Sequence, residues 1–167
     1  LCESVSVKVS ENWLRQWVSP NVTSEQLGHQ LTMAGLELDG IEAASPDLTG
    51  VIVAKIESAV PHPDADKLQV CQVNVGNGEI RQIVCGAKNA RAGLVTALAT
   101  EGDSLPGGVN IKAAKLRGVE SIGMLCAVSE LGLDEEGEGI LELDEDLKIG
   151  DSLMDAIDLD VNVFDID

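Results

Sequence analysis

Three basic residues within six positions form the cluster in this chain with the clearest chemical meaning. Lys112, Lys115 and Arg117 precede a glycine-punctuated apolar run that continues to Cys126. Ammonium and guanidinium groups bind phosphate well, because both donate charge-assisted hydrogen bonds to its oxygens. The cluster therefore predicts contact with a polyanion, unless these cations only neutralise carboxylates elsewhere in the fold.

The charge of the chain is strongly uneven around this cluster. The net charge is −18, with −7 in residues 1–66 and −15 in residues 118–167. Residues 67–117 instead hold seven bases and three acids, a net of +4. Charges are screened over about 8 Å at physiological ionic strength, so this segment can act on an anion despite distant acids. Both interpretations, an anion-binding patch and mutual neutralisation, stay open on the sequence alone.

Composition excludes several classes of protein. A hydrophobic content of 44% over 167 residues supports a buried core rather than disorder. No apolar run approaches the ~18 residues of a membrane span, and the N-terminus lacks a signal-peptide pattern. No membrane partner is therefore expected. The chain begins with Leu1 rather than Met, and we expect a fragment of a longer protein.

The cysteines and histidines predict no metal centre. Four cysteines are widely spaced without a Cys-x-x-Cys pair, which favours buried reduced thiols in a cytosolic protein over disulfides or zinc ligands. His62 begins a seven-residue segment with two carboxylates and an ammonium, a set that acid–base catalysis or metal binding could use. The alternative is a turn set by Pro63 and Asp64. Since other enzyme motifs are missing, no catalytic residue is predicted.

One acidic loop partly fits the calcium-binding EF-hand pattern. Asp134, Glu136, Glu138, Gly139 and Glu145 occupy positions 1, 3, 5, 6 and 12 of such a loop. Glutamates replace the shorter ligands expected at positions 3 and 5, and flanking helices are not indicated. We therefore predict a solvated acidic loop rather than a calcium site.

Two helices are predicted near the N-terminus. The first covers residues 10–18, with Ser10 as its cap. Trp13 and Trp17 share one face of this helix and are expected to be packing anchors. The capping box in residues 23–26 begins the second helix, and Gly35 is its natural end.

Short strands dominate the rest of the chain. Asn77-Gly78 is a strong signal for a tight hairpin, and several short strands at close spacing predict a small antiparallel barrel or sandwich. A short helix is expected over residues 150–157. Strands are expected at residues 36–41, Val51–Val60, Leu68–Val75, Glu79–Cys85, Leu94–Ala99, Ile140–Leu143 and 161–167.

Nucleic-acid binding is the remaining specific hypothesis, and its mode is constrained. No Phe, Trp or Tyr occurs between Trp17 and Phe164, although single-strand binders usually stack bases on aromatic rings. Binding would therefore depend on phosphate contacts and RNA shape. Five phosphate contacts would lose roughly 10²–10³-fold in affinity between 50 and 200 mM salt, so we expect a weak, salt-sensitive interaction.

Three ordered motifs resemble a known domain family. Residues 62–68, 84–89 and 112–124 are similar to the tRNA-binding oligonucleotide-binding-fold (OB-fold) domain of several aminoacyl-tRNA synthetases and accessory factors. The flanking residues 10–18 and 31–37 resemble the start of bacterial phenylalanyl-tRNA synthetase beta subunits. The resemblance covers nearly the whole chain.

The resemblance implies an α+β fold in which a small antiparallel β-barrel (OB-fold) is inserted into a split α+β domain. The expected parts are residues 1–40, a barrel over residues 41–150, and a returning part over residues 151–167. The parent enzyme would be a cytoplasmic α₂β₂ tetramer with an alpha subunit, and would join phenylalanine to tRNA using ATP and magnesium. This fragment would be non-catalytic and would hold no cofactor itself.

The resemblance and the charge pattern together predict a tRNA-facing set of residues. The alternative is a structural or assembly module of the synthetase, whose cations pair with acids there and which has little tRNA affinity of its own. The predicted set consists of Lys67, Lys88, Asn89, Arg91, Lys112, Lys115, Arg117 and Ser121.

Overall fold

The computed structural model describes residues 7–133, 138–159 and 161–167. The chain forms two compact units, one running up to Ser45 and resuming at Asp158, the other covering Pro46–Ile157. The fold is α+β and mostly antiparallel sheet, with three short helices among the described residues. In chain order the elements are β1 (Val7–Ser10), α1 (Glu11–Trp17), α2 (Ser24–Met33), β2 (Leu38–Ala43), β3 (Val51–His62), β4 (Ala65–Asn74), β5 (Ile80–Cys85), β6 (Val95–Ala99), β7 (Ser104–Leu105), β8 (Val109–Asn110), β9 (Ala114–Leu116), β10 (Val119–Ser121), β11 (Met124–Leu125), α3 (Leu153–Ala156) and β12 (Asn162–Ile166).

Both N-terminal helices begin where their capping residues predict. The Ser10 side chain accepts a hydrogen bond from the Trp13 backbone at 3.4 Å. Thr23 and Gln26 form the predicted capping box, with reciprocal bonds of 3.0 and 3.2 Å. Gly35 follows α2 at φ +97°, the left-handed conformation that ends many helices. The two helix predictions are therefore confirmed.

The expectation that the tryptophans anchor the packing of α1 is wrong. Trp13 is 54% exposed and Trp17 is 75% exposed, and their rings meet edge to face at a centroid distance of 6.4 Å. The residue that α1 buries is Glu11. Helical spacing shows that the two rings share a face, but packing decides which face is covered.

A three-stranded antiparallel sheet organises the first unit, in the order β1-β12-β2. Phe164 at the centre of β12 is fully buried and pairs with Val9 and Ile41. Helix α2 packs here through Gly28, where an added Cβ would lie 3.0 Å from the Leu38 side chain. The strand predicted at residues 161–167 is confirmed as β12, and the one predicted at residues 36–41 begins two residues later.

A five-stranded antiparallel sheet forms the body of the second unit, in the order β11-β6-β3-β4-β5. Its core is made of aliphatic side chains from neighbouring strands, which are shielded from solvent: Ile56, Val73, Ile83 and Leu98. The four strands predicted between residues 51 and 99 are confirmed, with small shifts of their ends. The short helix predicted at residues 150–157 is also confirmed, as α3.

Residues Ile140–Leu143 do not form the predicted strand. Ile140 and Leu143 make only isolated bridges, to Ala127 and Val95 respectively. Apolar and polar residues do alternate along this segment, but successive backbone groups bond to two different neighbouring segments, so no strand ladder forms. The sequence pattern does not specify that change of partner.

Asn77 and Gly78 form a tight turn between β4 and β5. Asn77 and Gly78 have φ of +54° and +80°, and the Glu79 amide donates to the Gly76 carbonyl across them at 3.0 Å. This confirms the predicted tight turn.

Ile122, just before β11, donates its backbone N–H to the Gln82 carbonyl of β5 at 2.9 Å. A backbone bond thus connects the chain at the two outer strands of the sheet.

Three cysteines are buried free thiols, as predicted: Cys71, Cys85 and Cys126. Burial raises the pKa of Cys71 to about 11 and that of Cys126 to about 12, and it also raises the pKa of Cys85. Cys2 lies outside the described residues, as do Asp134 and Glu136 of the acidic loop. No helix in the described part of the chain is long and apolar enough to cross a membrane.

Candidate nucleic-acid interface

The seven cations of residues 67–117 divide into a paired and an unpaired group. Arg81 lies 2.7 Å from Glu79, and Arg91 holds both oxygens of Glu142 at 2.8 Å. Across the described ranges, the remaining five make no salt bridge, and all five are exposed. Within the described residues, mutual neutralisation therefore accounts for two of the seven. The unpaired group consists of Lys67, Lys88, Lys112, Lys115 and Arg117.

A small hairpin of β9 and β10 presents part of the unpaired group. Leu116 pairs with Val119, which leaves Arg117 and Gly118 as a two-residue turn. Their φ angles are +45° and +89°, the positive pair that a type I′ turn requires. Glycine adopts this conformation freely, whereas an arginine is held there by the hairpin. Arg117 is therefore displayed at the tip.

The basic cluster is split between two faces of this hairpin. A groove of about 510 Å³ is lined on one side by Lys112, Ala114 and Leu116. Because side chains alternate along a strand, Lys115 lies on the opposite face, where its cross-strand partner is Glu120. The three cations are adjacent in sequence but do not converge on one point.

The structure instead joins Arg117 to a cation from another hairpin. Arg117 and Lys67 line the same concavity of about 460 Å³. Asp64 and Asp66 line it as well, so the site mixes both signs of charge. A phosphate bound there would contact the two cations and would need to avoid the two carboxylates.

Lys88 lies beside the groove that Lys112 borders. It lines a concavity of about 420 Å³ together with Glu138. This concavity shares Gly86, Ala87 and Gly139 with the groove. The structure thus brings Lys88 and Lys112 to neighbouring sites, although two carboxylates, Glu130 in the groove and Glu138 in the concavity, are present in the same region.

The side chains of Asn89 and Arg91 both form hydrogen bonds with residues 140–142. The Asn89 amide donates to the Ile140 carbonyl at 2.9 Å and accepts from the Ile140 N–H at 3.0 Å. Hydrogen bonds from Arg91 and Asn89 lower the pKa of Glu142 to about 2. A nucleic acid would have to displace Glu142 before it could use the Arg91 guanidinium. These two residues hold the 138–142 segment in place.

Ser121 does not present its hydroxyl on the surface. The residue is 3% exposed. Its Oγ accepts from the Val84 N–H at 3.0 Å and donates to the Gly123 carbonyl at 3.2 Å. Both bonds are internal, so the hydroxyl ties β10 to β5.

His62 has a role that sequence analysis missed. The turn interpretation of its segment is confirmed, because Pro63 and Asp64 connect β3 to β4. The imidazole, however, also reaches the Leu116 carbonyl, 54 residues away. No local pattern could have identified that partner. Among the described residues, no group of three or more His, Cys, Asp or Glu side chains is placed to hold a metal ion.

Comparison with known proteins agrees with the motifs. Residues 51–152 match the sequence model of a family described as "Putative tRNA binding domain". The chain is 55% identical to the phenylalanine–tRNA ligase beta subunit of Methylococcus capsulatus over 96% of its length and 20% of that protein. It is 52% identical to the same subunit of Aliivibrio fischeri, with the same coverage. The resemblance stated from the motifs is thereby confirmed.

These relatives are much longer proteins. The chain spans about a fifth of the length of the curated relatives it matches. Among solved structures, the C-terminal domain of Plasmodium vivax p43 is 27% identical, with a TM-score of 0.44 over 62% of this chain and 59% of that one.

Proposed function

Because this chain belongs to the tRNA-binding-domain family that its residues 51–152 match, we propose that it is a non-catalytic tRNA-binding module of a phenylalanyl-tRNA synthetase beta subunit. One observation carries the proposal. Five exposed cations of the matched segment form no salt bridge with any carboxylate in the described part of a chain with a net charge of −18. Acids are abundant, yet these cations remain available for phosphate oxygens.

The second unit is proposed to be a five-stranded barrel of the OB type. Two bonds from the edge strand β5 to the segment that leads into β11, the other edge strand, support closure: Ile122 N–H to the Gln82 carbonyl at 2.9 Å, and the Gln82 side chain to the Glu120 carbonyl at 2.8 Å. Residues 41–150 would be the barrel, inserted between residues 1–40 and 151–167 of a split α+β domain. The position of β12 between β1 and β2 supports this arrangement.

The proposed binding mode is electrostatic and independent of base stacking. Residues 46–157 contain no Phe, Trp or Tyr, so no aromatic platform is available in this unit. Lys67 and Arg117 would contact one part of the RNA backbone, Lys88 and Lys112 another, and Lys115, on the opposite face of the hairpin, a third. The affinity should therefore be modest and should fall steeply with salt.

The proposals for the parent protein follow from its relatives. It would be cytoplasmic, would pair with an alpha subunit in an α₂β₂ tetramer, and would attach phenylalanine to tRNA using ATP and magnesium. The described residues offer no group of three or more His, Cys, Asp or Glu side chains that could hold a metal ion, and the role proposed for this chain involves no step through magnesium or ATP. Its contribution would be to hold tRNA.

The test is a titration of fluorescent tRNA with this chain and two triple variants. In the first variant Lys112, Lys115 and Arg117 become Ala. In the control variant Lys8, Arg81 and Lys148 become Ala. This variant also loses three positive charges, but its three cations are ion-paired in the wild-type chain.

At about 50 mM salt, the first variant should lose roughly 10- to 100-fold in affinity, and the control should stay within about threefold of the wild type. Equal losses would refute the assignment to specific cations. No binding by the wild-type chain would refute the tRNA-binding function and favour the role as an assembly module.

A further inference from the structure

His62 connects two hairpins that are distant in sequence. It is the last residue of β3 and is only 4% exposed. Its Nδ1 accepts a hydrogen bond from the Asp64 backbone N–H at 3.0 Å, and its Nε2 lies 3.1 Å from the Leu116 carbonyl oxygen. The first bond closes the β3–β4 turn, and the second reaches the end of β9.

These partners define the state of the imidazole ring. Because a backbone N–H can only donate, Nδ1 must accept and therefore carries no proton. The proton of the neutral ring is then on Nε2, which donates it to the Leu116 carbonyl. Both ring nitrogens are thus used, one within its own turn and one across to the other hairpin.

The β9–β10 hairpin is attached at its base by other contacts. Ser121 and Ile122 bond to β5 through the Val84 N–H and the Gln82 carbonyl. Those bonds lie at the end of the hairpin opposite its turn. The bond from His62 to Leu116 holds the tip, one residue before Arg117.

We propose that His62 is a positioning residue for tRNA binding, which fixes the tip of the β9–β10 hairpin so that Arg117 stands beside Lys67. The two cations line one concavity and come from hairpins that His62 joins. While the tip is fixed, the two cations bind neighbouring phosphates of one RNA backbone together. When the tip is released, RNA binding must first order the tip, and the affinity for tRNA falls. The inference rests on the proposed function.

Two conservative variants separate the two bonds of His62. In His62→Asn, the side-chain oxygen can take the place of Nδ1 and accept from the Asp64 N–H, but the amide is too short to reach Leu116. In His62→Gln, the longer amide can donate to the Leu116 carbonyl. Only the second variant should keep the link between the hairpins.

The measurement is tRNA affinity at about 50 mM salt, with Arg117→Ala introduced into each background. We expect His62→Asn to lose roughly five- to tenfold, as much as Arg117→Ala alone, and His62→Gln to stay within about twofold of the wild type. Adding Arg117→Ala to His62→Asn should cost less than about twofold more, because the two changes remove the same contact.

The controls distinguish positioning from general stability. Thermal unfolding followed by circular dichroism shows whether each variant is folded, and the wild-type ¹⁵N spectrum of His62 should show the neutral tautomer with its proton on Nε2. Amide hydrogen exchange over residues 114–121 should rise in His62→Asn and not in His62→Gln.

A folded His62→Asn variant that binds tRNA like the wild type would overturn the inference while leaving the proposed function intact. Additive losses with Arg117→Ala would also overturn it. Absence of binding by the wild type would overturn the proposed function itself, together with the role of His62 in it.

Discussion

Glu11 offers the sharpest prediction about how the first unit is held together. It is 5% exposed; its Oε1 accepts from Arg15 Nε at 2.8 Å and Ser24 Oγ at 2.9 Å, and its Oε2 accepts from the Asn162 amide at 2.9 Å. One carboxylate therefore joins α1, α2 and β12. Burial alone would raise the pKa of Glu11, but the hydrogen bonds from Asn162, Arg15 and Ser24 outweigh it and lower the pKa.

Replacing Glu11 with Ala should cost roughly 3 kcal/mol of unfolding free energy. Three hydrogen bonds are lost at about 1 kcal/mol each. The loss should not reach that of an isolated buried charge, because Arg15 keeps two backbone carbonyls as acceptors. Glu11→Gln retains one acceptor oxygen and should lose about half as much.

Urea unfolding followed by tryptophan fluorescence measures this loss selectively. Both tryptophans lie on α1, and residues 46–157 contain none, so the signal reports the unit that contains Glu11. Glu37→Gln is the matched control, because Glu37 is exposed and its carboxylate makes no hydrogen bond in the described part of the chain.

The sign of the pH dependence follows from the lowered pKa. The contribution of Glu11 is fully present above the unfolded value of about 4.3 and is lost as the pH falls through the lower folded value. Glu11→Gln should therefore show a weaker loss of stability in acid than the wild type. An unfolding free energy of Glu11→Ala within about 0.5 kcal/mol of the wild type would refute this reasoning.

Two further predictions concern the second unit. Gly139 and Gly93 have φ of +89° and +88°, but only at Gly139 would an added Cβ meet another side chain, 2.3 Å from Asn89 Oδ1. In thermal unfolding, Gly93→Ala should cost about 1 kcal/mol from backbone strain, and Gly139→Ala about 2–3 kcal/mol because Asn89 must also move; equal losses would contradict the packing described here. In a Cys2→Ser variant, a thiol reagent at about pH 8 should label none of the three buried cysteines before unfolding and all three afterwards, because burial raises their pKa values. Rapid labelling of the folded protein would contradict their burial.

Local signals in the sequence were sufficient for the helices and turns. The capping box of α2 and the Asn77-Gly78 turn each depend on residues within four positions of one another. Both could therefore be predicted without knowing the tertiary fold. The exposure of Trp17 was not predictable in this way, because a helical pattern does not say which face is covered. The isolated bridges of Ile140 and Leu143 likewise depend on which segments lie on either side.

The candidate site was predictable only in part. Charge and motif positions pointed to the cations, but not to which of them are paired, since the partner of Arg91 is 51 residues away. The division of Lys112 and Lys115 between two faces became visible only when the structure placed Lys112 in the groove and Lys115 opposite Glu120 in β9. The link from His62 to Leu116 could be found only in the folded structure.

The salt dependence of tRNA binding tests the central claim most directly, because it counts the phosphates that the cations neutralise. Five contacts predict a slope of log K against log salt of about −3.5 to −4.5, which is a roughly 10²–10³-fold loss between 50 and 200 mM. Replacing Lys112, Lys115 and Arg117 by Ala should reduce the slope to about −1.4 to −1.8, with two contacts left. The ion-paired control variant should keep the wild-type slope. A wild-type slope near zero, or one that the three replacements leave unchanged, would contradict the account.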